Sequence, residues 1–323
     1  MDSTRFHTLD AMRGIAAIAV MLFHAGAQSP LAIPGGYLAA DLFFVLSGFV
    51  LANAYEARLR EGMTLRAFVQ ARLQRVYPVF WLGALTGCVA WGGSALTMFM
   101  VPTPSETGLL FEANAPLWSL LFELVANLLW ALLAVRLGLG AMVAVLLALA
   151  ALLVPAVLAQ GNADLGAFWA TALPGLVRTL FSFTMGIVLF RLFRREAATP
   201  RESRLAWLLL PALTLLLAQG PEARALFDLA MLGLALPLVV WLGASWEIGS
   251  SALATRLGGL SFPLYCIHAP FVAYAHGSAT AMALVCAAMI GLSLAIDRYY
   301  DRPIQAWFKA RAQSACPAQE ALA

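Results

Sequence analysis

From Leu9 to His24 the chain reads as an apolar helix interrupted by Asp10, Arg13 and His24. Further apolar stretches follow at about Gly36 to Tyr55, Tyr77 to Val101, Ala115 to Val135, Gly140 to Ala159, Trp169 to Phe190, Leu205 to Ala218, Leu226 to Ala244, Leu260 to Tyr274 and Ala279 to Ile296, the first running from Ala11 to Gln28. A bilayer core about 30 Å thick takes about 20 such residues per crossing. The pattern predicts an all-α, polytopic integral membrane protein of about ten transmembrane helices, with the seventh and ninth short. No repeat of 20 to 50 residues and no paired broken helices interrupt it.

Charge orients these helices. Ten spans put both termini on one side, and Arg58, Arg60, Arg66, Arg72, Arg75, Arg136, Arg191, Arg194, Arg195, Arg201, Arg204 and Arg256 fall there with Arg5, Arg298, Arg302, Lys309 and Arg311. That side is expected to be cytoplasmic. The opposite loops carry Glu106, Glu112, Asp164 and Glu222 against Arg224. The formal charge of +3 therefore reflects topology and not a nucleic-acid partner. With 62% hydrophobic and 11% charged residues among 323, and a mean hydropathy of +0.83, little remains for a soluble module. The expectation is one transmembrane domain over 1–311 and a disordered cytoplasmic tail over 312–323. Arg13 and His24 sit inside the first apolar run and no small-residue cleavage site follows, so that helix is expected to stay in the mature protein. Cys88, Cys266, Cys286 and Cys316 lack paired spacing, and His7, His24, His268 and His276 are scattered, so neither a disulfide nor a metal is expected. Arg191 to Arg204 reads as a solvated connector.

An ionisable group inside a membrane span costs several kcal/mol unless it is paired or faces water, which makes each one a functional candidate. Arg13 and His24, eleven positions apart, fall on one helical face about 16 Å apart along the axis. Asp41, near the outer end of the second helix, is a plausible partner for His24, since a carboxylate on one ring nitrogen raises the basicity of the other. Arg72 and Arg75 share a face at i and i+3, and their planar forks suit phosphate oxygens. Glu123 and Asn127 share a face of the fourth helix and are expected to line one wet cavity. His268 is either a second site histidine or a helix-end group satisfied by backbone. Arg178 and Asp228 are a possible structural pair, although nothing in the sequence brings them together.

In order along the chain, Arg13 with His24, Gly36-Tyr37 with Asp41 to Phe49, Arg72-Leu73-Gln74-Arg75-Val76-Tyr77-Pro78, Trp118-Ser119-Leu120 with Glu123, Ser261 to His268, and Tyr300-Asp301-Arg302-Pro303 together resemble the acyltransferase 3 family of bacterial membrane O-acyltransferases. The resemblance covers essentially the whole chain. It implies a multi-pass enzyme of the bacterial inner (cytoplasmic) membrane that moves an acyl group, usually acetyl, from cytoplasmic acyl-CoA to a hydroxyl of a glycan or lipid-linked sugar. It also implies a catalytic role for His24 and donor contacts for Arg72 and Arg75. Taken with the residue reading, the candidate site has His24, Asp41 and Glu123 as catalytic groups and Arg13, Arg72, Arg75 and Tyr77 at the donor. Ser47, Ser119, Asn127, Tyr265 and His268 line or support the cavity. No cofactor is expected to be bound permanently, acetyl-CoA being a cosubstrate. The partners are acyl-CoA, the glycan or lipid-linked acceptor and membrane lipids, with oligomeric state left open.

In that scheme His24 deprotonates the acceptor hydroxyl or is itself acylated transiently. The sequence leaves the acceptor open, and the small side chains of Ala39 and Ala40 favour acetyl. The chain as read ends at Ala323 without the extracytoplasmic hydrolase-like domain that some members append, so the acceptor is expected to be met directly in the membrane. Leu121-Phe122 stand where many members carry a more polar run before the acid. The rival reading is a secondary transporter, because scattered intramembrane charges also mark ion pathways. A structural partner in a glycan assembly complex would not need these residues.

Overall fold

The computed structural model describes residues 6–26, 31–195, 200–249, 251–272 and 278–314. Arg5, His276, Cys316 and the 315–323 part of the expected tail lie outside them. Twelve α-helices are described: α1 (His7–His24), α2 (Ala39–Arg60), α3 (Leu65–Trp91), α4 (Trp118–Leu129), α5 (Leu139–Gln160), α6 (Ala172–Arg195), α7 (Leu209–Leu217), α8 (Arg224–Ala230), α9 (Leu236–Ser245), α10 (Ala252–Val272), α11 (Ala279–Ile296) and α12 (Arg302–Ser314). Wide π turns at Met231–Ala235 and Asp297–Asp301 join α8 to α9 and α11 to α12. The only strands among the described residues are two-residue segments, Arg201–Glu202 and Trp246–Glu247, paired in parallel.

Six helical stretches are long and apolar enough to cross a membrane: Gly36–Arg60, Ala115–Ala134, Leu139–Gln160, Trp169–Arg194, Arg224–Ser245 and Ala279–Arg311, with Arg204–Leu217 a shorter apolar helix. The protein is a helical, multi-pass membrane protein. α1, α3 and α10 fall outside that set while carrying Arg13 and His24, Arg72 and Arg75, and His268. Polar residues also explain two misplaced boundaries. α3 begins at Leu65 rather than Tyr77, because its first half is amphipathic; Thr64 caps it by accepting from the Ala67 amide at 3.2 Å. α10 begins at Ala252 rather than Leu260, across Thr255 and Arg256.

Two helix pairs hold the centre, α1 with α10 and α2 with α6. α2 and α6 approach backbone to backbone, since a Cβ at Gly48 would collide with the Phe183 carbonyl and one at Gly186 with the Val45 carbonyl. Small residues permit such crossings where water supplies no driving force between helices. α1 and α10 run parallel, with Gly14 packed against Leu257 near one end and His24 meeting His268 near the other. The first turn of α1 is capped by Glu247, whose carboxylate accepts from the His7 and Thr8 amides at 3.1 and 3.0 Å. Burial pushes that carboxyl up, and the two amides act against the shift.

Arg191, expected in a solvated connector, is instead a clamp. It donates to Glu56 at 3.0 Å and to the Leu137 and Val135 carbonyls at 2.8 and 3.3 Å, tying α6 to the end of α2 and to the turn before α5.

Candidate active site

A cavity of about 380 Å³ opens among α1, α2, α3, α4, α10 and α12. Its charged and polar wall includes Arg13, Ser47, Arg72, Arg75, Glu123 and Lys309; Ala40, Phe43, Phe44, Leu46 and Leu120 are among its apolar lining.

Glu123 and Arg72 form the centre of this wall. Glu123 Oε1 accepts from Ser47 Oγ at 2.6 Å and from Arg72 Nη2 at 3.3 Å. With the Asn127 amide oxygen turned toward Arg72, it accepts from Arg72 Nε at 3.2 Å while its nitrogen donates to the Glu123 carbonyl, also at 3.2 Å. The i, i+4 spacing of Glu123 and Asn127 thus grips a single guanidinium. Arg75 is held separately: Nη1 donates to both oxygens of Asp301 at 3.2 and 2.8 Å, and the guanidinium lies over the Phe262 ring. Both arginines line the cavity, and each already has a carboxylate partner.

Arg13 also lines the cavity, as do Ser261, Phe262 and Tyr265 of α10. Further along α10, Tyr265 and Ser119 form a hydroxyl pair 2.6 Å apart, with Ser119 donating to the Pro116 carbonyl at 3.0 Å. The Tyr265 ring packs edge-on against Phe43, with centroids 5.5 Å apart, and against His268 at 6.1 Å.

His24 and His268 stand behind Tyr265 and are not part of the cavity wall. His24 Nδ1 lies 2.9 Å from the Val20 carbonyl, and His268 Nδ1 lies 2.9 Å from the Leu264 carbonyl. A carbonyl only accepts, so both Nδ1 atoms carry the proton. His268 Nε2 is then an acceptor 3.2 Å from His24 Nδ1, whose single N–H it shares with the Val20 carbonyl, and the lone pair of a neutral His24 sits on Nε2.

Two expected roles are displaced, those of Asp41 and Tyr77. Asp41 does not orient His24. Its oxygens accept from Arg178 Nε at 3.0 Å, from Arg178 Nη2 at 2.5 Å and from Ser182 Oγ at 3.0 Å, all fully buried. A guanidinium in a lipid-surrounded interior needs a counter-ion more than an imidazole does, and Arg178 claims the carboxylate. The rest of Arg178 donates to the Leu165 and Tyr37 carbonyls at 3.1 and 2.9 Å, which makes the pair a structural rivet between α2 and α6. Asp228 accordingly pairs with Arg224 at 2.9 Å and accepts from the Tyr37 hydroxyl and the Ala163 amide, not from Arg178. Glu123 lines the cavity as its spacing with Asn127 predicts, and there it is the counter-ion of Arg72. Tyr77, placed at the donor by its motif, points elsewhere: its hydroxyl donates to the Met98 carbonyl at 3.0 Å and it does not line the cavity. The chain after α3 folds back and supplies that acceptor.

The sequence reading also missed wall residues on α12. Gln305, Phe308 and Lys309 line the cavity, and with Asp301 they occupy positions i, i+4, i+7 and i+8 of one helical face. That periodicity was available in the sequence, but the basic residues there served only to fix orientation. Among the described residues no three potential metal ligands converge, and Cys88, Cys266 and Cys286 are free thiols.

A family profile described as an acyltransferase domain matches residues 6–298. Protein 2 in the picA locus of Rhizobium radiobacter is 37% identical over 157 residues, which is 39% of this chain and 81% of that protein. The exopolysaccharide production protein ExoZ of Rhizobium meliloti (strain 1021) is 29% identical over 120 residues, 32% of this chain and 36% of that protein. No solved structure matches the chain.

Proposed function

The chain belongs to the acyltransferase-domain family, and from that premise we propose that it transfers an acyl group, acetyl by default, from cytoplasmic acyl-CoA to a hydroxyl of a cell-surface glycan or lipid-linked sugar. In this reading the ten apolar stretches cross the bacterial inner membrane, both termini are cytoplasmic, and the cavity opens to the cytoplasm. The observation that carries it is a cationic cavity, lined by Arg13, Arg72, Arg75 and Lys309, whose wall residue Tyr265 packs against a paired histidine. The similarity to an exopolysaccharide production protein supports a polysaccharide acceptor.

The donor's phosphates lie among the cations and its pantetheine arm runs along the apolar side toward Ser119 and Tyr265. The Phe43 and Tyr265 rings part to let the thioester meet His24. His24 Nε2 takes the proton of the acceptor hydroxyl as its oxygen attacks the thioester carbon. The tetrahedral oxyanion then collapses, the carbon–sulfur bond breaks, and the departing CoA thiolate receives the proton from the imidazolium. His268 holds His24 in the Nδ1–H tautomer by accepting from it. Arg72, clamped by Glu123 and Asn127, shapes the wall along which the donor lies.

The test is label transfer from radiolabelled acetyl-CoA supplied to one face of oriented vesicles that hold native glycans and lipids. Label in a glycan or lipid fraction, only with donor on the cytoplasmic face, supports the proposal. Absence of both binding and consumption of acetyl-CoA overturns it in favour of a transport role for the same charges.

A further inference from the structure

We propose that Lys309 of α12 binds the ribose 3′-phosphate of the CoA donor at the mouth of the cavity. This rests on the reading of the donor as a CoA thioester and adds to it a residue and the part of the ligand that it recognises.

The argument is an accounting of charge in the wall. Of its four cations, Arg72 is answered by Glu123 at 3.3 Å and Arg75 by Asp301 at 2.8 Å. Lys309 forms no hydrogen bond or ion pair among the described residues, and the charges of Asp10 and Glu123 act on Arg13. Lys309 is therefore the wall cation that no carboxylate answers, while Arg13 is answered through the charges of Asp10 and Glu123. They stand at different depths: Arg13 is partly buried in the middle of the bundle, and Lys309 is exposed.

A CoA thioester carries anionic groups at two separate places. The diphosphate adjoins the pantetheine arm, and the 3′-phosphate sits on the ribose, farther from the thioester. A donor whose thioester points toward Tyr265 brings its diphosphate to the inner cations and leaves its 3′-phosphate at the mouth. Lys309 is the unpaired cation in the wall there, and an ammonium on a flexible stem suits a phosphate of variable orientation.

The helix that carries Lys309 is fixed in place for this role. Gln305 Nε2 donates to the Gln74 carbonyl at 3.0 Å and to Asp301 Oδ1 at 3.1 Å, and Asp301 is itself bound to Arg75. Asp301, Gln305 and Lys309 follow at i, i+4 and i+8, so the two residues that dock α12 onto α3 also aim the third at the opening. Phe308 lines the same wall, and an aromatic ring there suits the adenine end of the nucleotide.

Equilibrium binding of CoA and of 3′-dephospho-CoA to the detergent-solubilised full chain tests the assignment. The wild-type protein is expected to prefer CoA by about fivefold at low ionic strength, with the preference shrinking as salt rises. Lys309→Ala should lower CoA affinity to the dephospho-CoA level while leaving dephospho-CoA binding unchanged, and Lys309→Arg should keep the preference. A Lys309→Ala protein that still prefers CoA, or that loses affinity for both nucleotides alike, overturns the proposal, as does a wild-type protein with no preference. If the wild-type protein binds neither nucleotide, the donor assignment itself falls, and this inference falls with it.

Discussion

His268 Nε2 lies 3.2 Å from His24 Nδ1, across the seam where α10 runs parallel to α1. Each imidazole is also anchored to the carbonyl one turn earlier in its own helix, His24 to Val20 and His268 to Leu264. Two local helix contacts and one contact between helices therefore set the ring orientation of His24, with no carboxylate involved.

His268 is thus a positioning residue. His268→Phe should lower kcat by roughly 10²-fold with little change in the donor KM, a loss at the low end of what a misplaced general base costs. His268→Gln, whose amide oxygen can accept the same hydrogen bond, should recover part of it. Steady-state kinetics on the two variants in membranes would check this, and an unchanged kcat for His268→Phe would remove His268 from the mechanism.

The charge pattern of the cavity ranks its arginines. Arg13→Ala removes a cation that forms no salt bridge with a cavity carboxylate and should raise the donor KM by about tenfold or more. Arg75→Ala removes one already neutralised by Asp301 and should raise it only severalfold. Donor titrations at fixed acceptor would show the order, and the reverse order would mean that the Asp301 pair opens when donor binds.

Asp41 and Arg178 predict a stability effect and not a chemical one. Asp41→Asn leaves a buried guanidinium without its counter-ion and should cost about 3–5 kcal/mol. The double variant Asp41→Leu with Arg178→Met should cost less than the sum of the two single changes. Thermal unfolding in detergent reads both effects, while activity per folded molecule should persist in Asp41→Asn. Its abolition in well-folded protein would return Asp41 to the catalytic list.

The Phe43 and Tyr265 rings, 5.5 Å apart, both line the cavity, and Tyr265 packs against His268 on its other side. Phe43→Ala should widen the cavity there and improve use of butyryl-CoA relative to acetyl-CoA by about tenfold, the scale on which a pocket discriminates one or two methylenes. Competition between the two donors measures the ratio. An unchanged ratio would place the acyl group elsewhere.

What could be read from the sequence was periodic or local. The apolar stretches mark most of the helices, while the division that puts Arg13 in the cavity wall and His24 against α10 does not follow from their eleven-residue interval. The i, i+4 pair Glu123 and Asn127 converges on Arg72 as its spacing requires. What could not be read was the choice of partner across the fold. Asp41 has His24 nearby in sequence and Arg178 far away, 137 positions on, and one chain contains no signal for which it meets. The first half of α3 was hidden for a different reason: its arginines break the apolar run although they face a polar cavity. Lys309 was visible but was absorbed into the count of basic residues that orient the chain.

The most direct test of the central claim is to measure CoA binding and acyl transfer on the same preparation of His24→Ala. The account predicts that the folded variant binds CoA with wild-type affinity, because His24 is not part of the cavity wall, and that transfer to the glycan or lipid fraction falls by at least about 10²-fold. Transfer at the wild-type rate by this variant would contradict the account.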